Sequence, residues 1–220
     1  MPAILRLYED TLSNVPDLSI RLSALPRMLF VVHGLVTIDD RPLADGETWH
    51  GPNGVTLRPG RHGVTVWRFE LGPETVGDGR IIGSGIRSHE KIAARLAPLP
   101  PGELLMRGDS VAFPPGGCAY LHKHQGPGIR CLLDGGIRID TDGHSTSYGP
   151  GGAWYEPGPI PVFAQAASDR PSRFIRLMIL PKTLLGKTSI QYVNEDDKDK
   201  PKSQRYEIFV DAPIAFDGRG

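Results

Sequence analysis

Residues Tyr120 to Gly136 read YLHKHQGPGIRCLLDGG. Two histidines two positions apart, His122 and His124, point the same way if the segment is a strand, because side chains alternate faces with a period of two. Their imidazoles then converge on one point inside a β-barrel. Such a pair on a rigid strand suggests a metal site or a proton-transfer site. The Gly-Pro-Gly turn leads into an apolar run that stops at Gly135. Counting by twos, Arg130 shares the histidines' face if the turn keeps the register. An arginine pointing into a barrel is costly unless an anion or a carboxylate meets it.

Outward from this stretch, the chain carries a weak internal repeat. Met28–Gly34 resembles Ile129–Gly135, and each is an apolar strand closed by glycine. Short alternating strands follow, Val36–Asp39 and Ile137–Asp140. Next come a turn and an aromatic segment, in which Trp49 matches Trp154 and Pro52 matches Pro157. Each copy ends on a strand mixing basic and apolar residues, VTVWRFEL (Val64–Leu71) and RFIRLMIL (Arg173–Leu180). The ordered match points to duplication.

Bulk composition agrees with a turn-rich β protein. The chain has 220 residues with Gly 27 and Pro 21, both well above average usage. Lys+Arg and Asp+Glu balance at 25 each, which leaves no electrostatic footprint for nucleic acid or an anionic membrane surface. A small-molecule partner is expected, with no nucleic acid and no membrane. Two cysteines, Cys118 and Cys131, form neither a CxxC pair nor a disulfide framework. Acidic residues interrupt the amino-terminal stretch where a signal peptide needs apolar ones, and no run is apolar enough to span a bilayer. A cytoplasmic location is the expectation.

Between the copies, Pro98-Leu-Pro-Pro-Gly102 blocks any long helix. Ser88–Leu96 is open to one or two helical turns or an edge strand. Leu104–Met106 and Val111–Phe113 look like strand pieces. The charge run Asn194–Lys202 reads as a solvated loop. Tyr206–Asp211 alternates well enough for a last strand, packing on the first copy or on another subunit.

These residues resemble the cupin superfamily, specifically a two-domain bicupin. Gly116 or Gly117 opens the first motif, His122 and His124 occupy its histidine places, and Gly135 closes it. Gly151 and Pro157 match the second motif. The resemblance implies an all-β fold of two antiparallel jelly-roll barrels in tandem. The expected boundaries are a degenerate barrel over 1–76, a linker over 77–105 and the histidine-bearing barrel over 106–220. Departures accompany the matches. The family glutamate falls on Gly128, the third histidine on Val162 and the asparagine on Ala166. The same offset in the first copy gives Arg21 and Ser23, so that barrel is structural or binds a ligand of its own.

The resemblance implies a divalent transition metal (iron, manganese, nickel or zinc) on His122 and His124. Glu156 is a candidate third ligand, giving the two-histidine, one-carboxylate set. It is otherwise a turn residue or an ion-pair partner. Arg130 either holds a substrate carboxylate or enolate or pairs internally with Glu156, and an Arg130–Glu156 pair competes with Glu156 as ligand. Gln165 falls outside by alternation, His144 is an exposed turn residue, and His33 has a packing role. Tyr120 and Tyr155 are placed at the mouth, and Trp154 and Phe163 between the sheets. Cys118 shares the histidines' face as a remote soft ligand or an inert thiol. The functional expectation is metal-dependent oxygenase, isomerase or lyase action on a small carboxylate- or carbonyl-containing metabolite. A metal-free binding or sensory barrel and a structural module are the alternatives. A homodimer is expected.

Overall fold

A computed structural model describes residues 2–75, 79–96 and 98–216. The chain divides into two compact units, Met1–Ala97 with Ala215–Gly220 and Pro98–Ile214. The boundary expected at residues 76 and 77 lies outside the described residues. Among them, regular structure is strand apart from two short 3-10 turns, and no helix is long and apolar enough to cross a membrane.

The first unit contains β1 (Ala3–Leu12), β2 (Ile20–Leu22), β3 (Arg27–Ile38), β4 (Arg41–Ala44), β5 (Thr48–Gly51), β6 (Val55–Pro73) and β7 (Ile86–Leu96). They form one seven-stranded antiparallel sheet ordered β4-β3-β6-β1-β7, with β2 on β6 and β5 on β3. The long strand β6 meets β2 near its start and β1 near its end. That lets one sheet enclose a core of Leu12, Leu29, Val31, Val36, Leu57 and Val66. The expected linker 77–105 is therefore not a linker throughout. It contains β7, which pairs antiparallel with the whole of β1 with one register shift between Leu7 and Tyr8. Of the two conformations open for Ser88–Leu96, the edge strand is the one formed.

The second unit contains β8 (Leu104–Phe113), β9 (Cys118–His124), β10 (Gly128–Asp134), β11 (Ile137–Thr141), β12 (His144–Tyr148), β13 (Ala153–Glu156), β14 (Val162–Ala166), β15 (Ser172–Pro181), β16 (Ile190–Tyr192) and β17 (Arg205–Ile214). Two five-stranded antiparallel sheets result, β13-β10-β15-β8-β17 and β12-β11-β14-β9-β16. Between them lies a core of Val111, Phe113, Leu132, Ile137, Trp154 and Phe174. The two strand pieces at 104–106 and 111–113 are one strand, β8. The last strand pairs with β8 of its own unit.

The repeat is visible in the registers. Leu29 faces Trp49 and Arg68 on neighbouring strands, and Arg130 faces Trp154 and Arg176. Gly34 and Gly135 both take the left-handed backbone, at φ 97 and 85 degrees. A β-carbon on Gly34 would lie 2.4 Å from the Gly63 carbonyl oxygen, and one on Gly135 would lie 2.2 Å from that of Pro171. Gly135 follows the end of β10, whereas Gly34 does not close its strand but sits at a register shift inside β3; only glycine takes this backbone at either place.

Candidate functional site

His122 and His124 both point inward from β9, each 5% exposed. Their Nε2 atoms stand 3.2 Å apart and their rings meet edge to face at 4.8 Å. Two ligands of one metal, each at about 2.0–2.3 Å and roughly a right or tetrahedral angle, are separated by about 3–3.5 Å. The convergence read from the sequence is thus present. His122 Nδ1–H donates to the Tyr120 carbonyl oxygen at 2.7 Å, which leaves its Nε2 lone pair facing the interior.

Plain alternation does not extend back along β9. Val162 lies opposite His122 and Ala164 opposite Ala119, so β9 carries one extra residue there. This bulge turns Ala119 inward and Cys118 to the other face, so Cys118 does not share the histidines' side. Val162 lines the interior beside the histidines. The family's third histidine place is therefore filled by hydrocarbon.

Gly128 and Glu156 are direct partners across β10 and β13. The carboxylate missing at 128 thus enters from the adjacent strand. A β-carbon at Gly128 would lie 2.5 Å from the Leu177 carbonyl oxygen and 3.1 Å from Arg130 Nη1. Glycine leaves room for that guanidinium, whose Nη1 donates to the Gly128 carbonyl oxygen at 2.7 Å.

Arg130 is 1% exposed, and its Nη2 sits 2.7 Å from Glu156 Oε2. The internal pair envisaged from sequence is formed. It is a charge contact without hydrogen-bond alignment, because Arg130 Nη2 and Glu156 Oε2 both lack an aligned partner. Trp154 Nε1 donates to Glu156 Oε1 at 2.9 Å. Glu156 Oε2 is also 3.6 Å from His124 Nε2. Burial pulls the Arg130 pKa down to about 10, with the Glu156 carboxylate opposing the fall.

Burial also lowers both imidazole pKa values, that of His124 far below its ordinary value with Arg130 and Arg176 adding repulsion. The unfolded chain takes up protons as pH falls through about 6.5, while these buried rings resist. Stability is therefore complete above that pH and declines below it, by up to about 1.4 kcal/mol per pH unit for each ring. Melting temperatures at pH 7.5 and pH 5 are expected to show the loss, and His122→Gln with His124→Gln to flatten it.

At the histidines the interior is nearly filled, with about 20 Å³ left among His122, His124, Glu156, Val162, Phe113 and Phe174. Open space lies on the other side. A cavity of about 350 Å³ is lined by His124, Arg176, Tyr192, Gln204, Tyr206 and other residues of the second unit. Arg176 is the row partner of Arg130 across β10 and β15, and Asp109 accepts from its Nε and Nη2 at 2.9 and 2.6 Å.

Several expected positions move. Tyr120 lies under Lys200 and Lys202, and Tyr155 alternates with the inward Trp154 and Glu156, so neither lines the cavity. Tyr192 and Tyr206 do. Trp154 packs between the sheets as expected, against Tyr148 and Phe174, whereas Phe163 alternates outward. Gln165 is outside and donates to the Gly116 carbonyl oxygen. His144 is exposed. His33 is exposed beside Asp45 and has no packing role. The charge run is only partly solvated, since Asp197 is buried within it and accepts from Lys200 and Asn194. In the first unit Arg21 and Ser23 are exposed.

No protein-family model and no curated protein matches the chain. Among solved structures, a cupin 2 conserved barrel domain protein from Leptotrichia buccalis aligns at 16% identity and TM-score 0.50, covering 81% of this chain and 84% of that one. Salicylate 1,2-dioxygenase from Pseudaminobacter salicylatoxidans aligns at 11% identity and TM-score 0.51, covering 79% and 70%. A variant of oxalate decarboxylase from Bacillus subtilis aligns at 14% identity and TM-score 0.50, covering 84% and 70%. With its paired inward histidines on a strand of an antiparallel sandwich, and the same registers echoed in a second β unit, the chain has the cupin fold.

Proposed function

We propose that the second unit binds a divalent transition metal through His122, His124 and Glu156 and acts on a small carboxylate- or carbonyl-bearing molecule. The observation that carries this reading is the 3.2 Å approach of two buried Nε2 atoms, with a carboxylate oxygen lacking an aligned donor 3.6 Å from one of them. The donor set suits iron, manganese, nickel or zinc. A metal held there supplies Lewis-acid polarisation of a substrate oxygen.

The chain's own residues prepare that site. The Tyr120 carbonyl fixes the His122 tautomer, Trp154 anchors one oxygen of Glu156, and Arg130 holds the other. Arg130 is therefore a positioning residue rather than one that meets substrate. Val162, Phe113 and Phe174 seal the far side against water. His124 also lines the open cavity, so a ligand there lies beside the histidine pair. Two proteins sharing the fold are named for salicylate and oxalate, both small carboxylates, which agrees with the substrate class.

Metal analysis of protein purified without a histidine tag tests the reading. About one metal per chain is expected after loading with iron, manganese, nickel or zinc. His122→Ala with His124→Ala is expected to abolish uptake while the circular dichroism spectrum is retained. No uptake of any of the four metals overturns it. A metal-free binding barrel is the second reading. It is favoured by the contact of Arg130 with Glu156, and by the absence, among the described residues, of three His, Cys, Asp or Glu side chains already in metal-ligating geometry.

A further inference from the structure

We infer that the cavity between β16 and β17 binds a small hydroxy acid, its carboxylate held by Arg176 and its hydroxyl by Gln204. This rests on the second unit being a small-molecule site but not on a metal being present.

The charge of the wall selects an anion. Arg107, Arg176, Lys187 and Lys202 face the cavity against two carboxylates, Asp109 and Asp211. The Arg107 guanidinium is spent: Asp211 accepts from Nε and Nη2, the Lys187 carbonyl oxygen from Nη1, and the Leu184 carbonyl oxygen from Nη2. Arg176 differs. Asp109 takes Nε and Nη2, and no bond to Nη1 is found among the described residues. A cation paired through Nε and Nη2 and standing on the wall of a cavity is a carboxylate receptor whose own burial is already compensated.

The second element is Gln204, 7% exposed and on the same wall. Its Nε2 donates to the Tyr206 hydroxyl at 3.2 Å, and its Oε1 is buried without a partner. Leaving such an atom unsatisfied is costly; Oε1 is closed off from open space, and a turn of the amide about its last torsion that brings it to a ligand hydroxyl regains that energy. A hydroxyl suits this amide in either orientation, because it both donates and accepts. The Ser189 hydroxyl, whose contact is the Met178 sulfur at 4.0 Å, is a further available polar group. Tyr192 and Tyr206 supply the aromatic sides of a space at the small end of the ligand-site range.

Isothermal titration of the full metal-free chain tests this with matched probes: malate against succinate, lactate against propionate, and lactate against lactamide. The hydroxylated acid is expected to bind about tenfold more tightly than its deoxy partner, and lactamide more weakly than lactate by a similar factor. Gln204→Leu is expected to erase the hydroxyl preference while leaving metal uptake intact. Equal binding of malate and succinate, an undiminished preference in Gln204→Leu, or inorganic phosphate binding as tightly as malate overturns the inference. If no acid binds with or without metal while uptake persists, the hydroxy-acid assignment falls and the metal reading stands.

Discussion

Arg130→Met is expected to lower the melting temperature of the second unit by about 10–25 °C in the absence of metal, equivalent to about 3–5 kcal/mol. The guanidinium is 1% exposed, and its neighbour Glu156 is 8% exposed. Once Arg130 is removed, the carboxylate keeps Trp154 at Oε1 but loses the cation at Oε2. An uncompensated buried charge is far costlier than the exchange of a whole ion pair for hydrocarbon. The same variant separates the two readings of the site. A divalent cation on the histidines would supply the missing charge opposite Glu156, and loss of Arg130 also removes a repulsion from His124. Saturating metal is therefore expected to raise the melting temperature of Arg130→Met by more than that of the parent chain. Calorimetry with and without metal checks this. An equal metal increment in both proteins would show that Glu156 is not a ligand.

The architecture was legible because it rests on local patterns repeated twice. The glycines at 34 and 135 and the tryptophans at 49 and 154 reappear at equivalent backbone positions. The histidine pair was legible because only one step of alternation separates its members. The rest of β9 was not, since the bulge before His122 breaks the period on which Cys118 was placed. The cavity walls were missed for a different reason. Tyr192, Gln204 and Tyr206 reach the site by non-local pairing of β16 with β9 and of β17 with β8, and no local pattern encodes such a return. Arg176 did leave a signal. It is a charged residue in the middle of the apolar run RFIRLMIL, at the place its counterpart Arg68 takes in the first copy. Arg130 drew attention instead because it follows the histidines in sequence, yet it is sealed behind Glu156.

Arg68 shows what that counterpart does in the first unit. Its Nε donates to Asp10 Oδ2 at 2.6 Å, Nη1 to Glu70 Oε2 at 2.6 Å and Nη2 to the Gly79 carbonyl oxygen at 3.0 Å, with the Tyr8 ring 4.2 Å away. Arg27 Nε completes Glu70 through Oε1 at 2.8 Å. Burial opposes the charge on Arg68, but Asp10 and Glu70 outweigh it and raise its pKa. Every edge of this guanidinium is occupied, whereas no bond to Arg176 Nη1 is found among the described residues, so the first unit's arginine is spent on the fold. Arg68→Met is accordingly expected to destabilise the first unit by about 3–5 kcal/mol, because Asp10, which is 0% exposed, loses its cation. Removing the carboxylate as well, in Arg68→Met with Asp10→Leu, is expected to recover more than half of that loss, since burial of hydrocarbon replaces an unpaired charge. Chemical denaturation of the two variants checks the order. A double variant no more stable than the single one would mean that the strands need this ion pair for their register, and that its balanced charge is not what keeps the first unit folded.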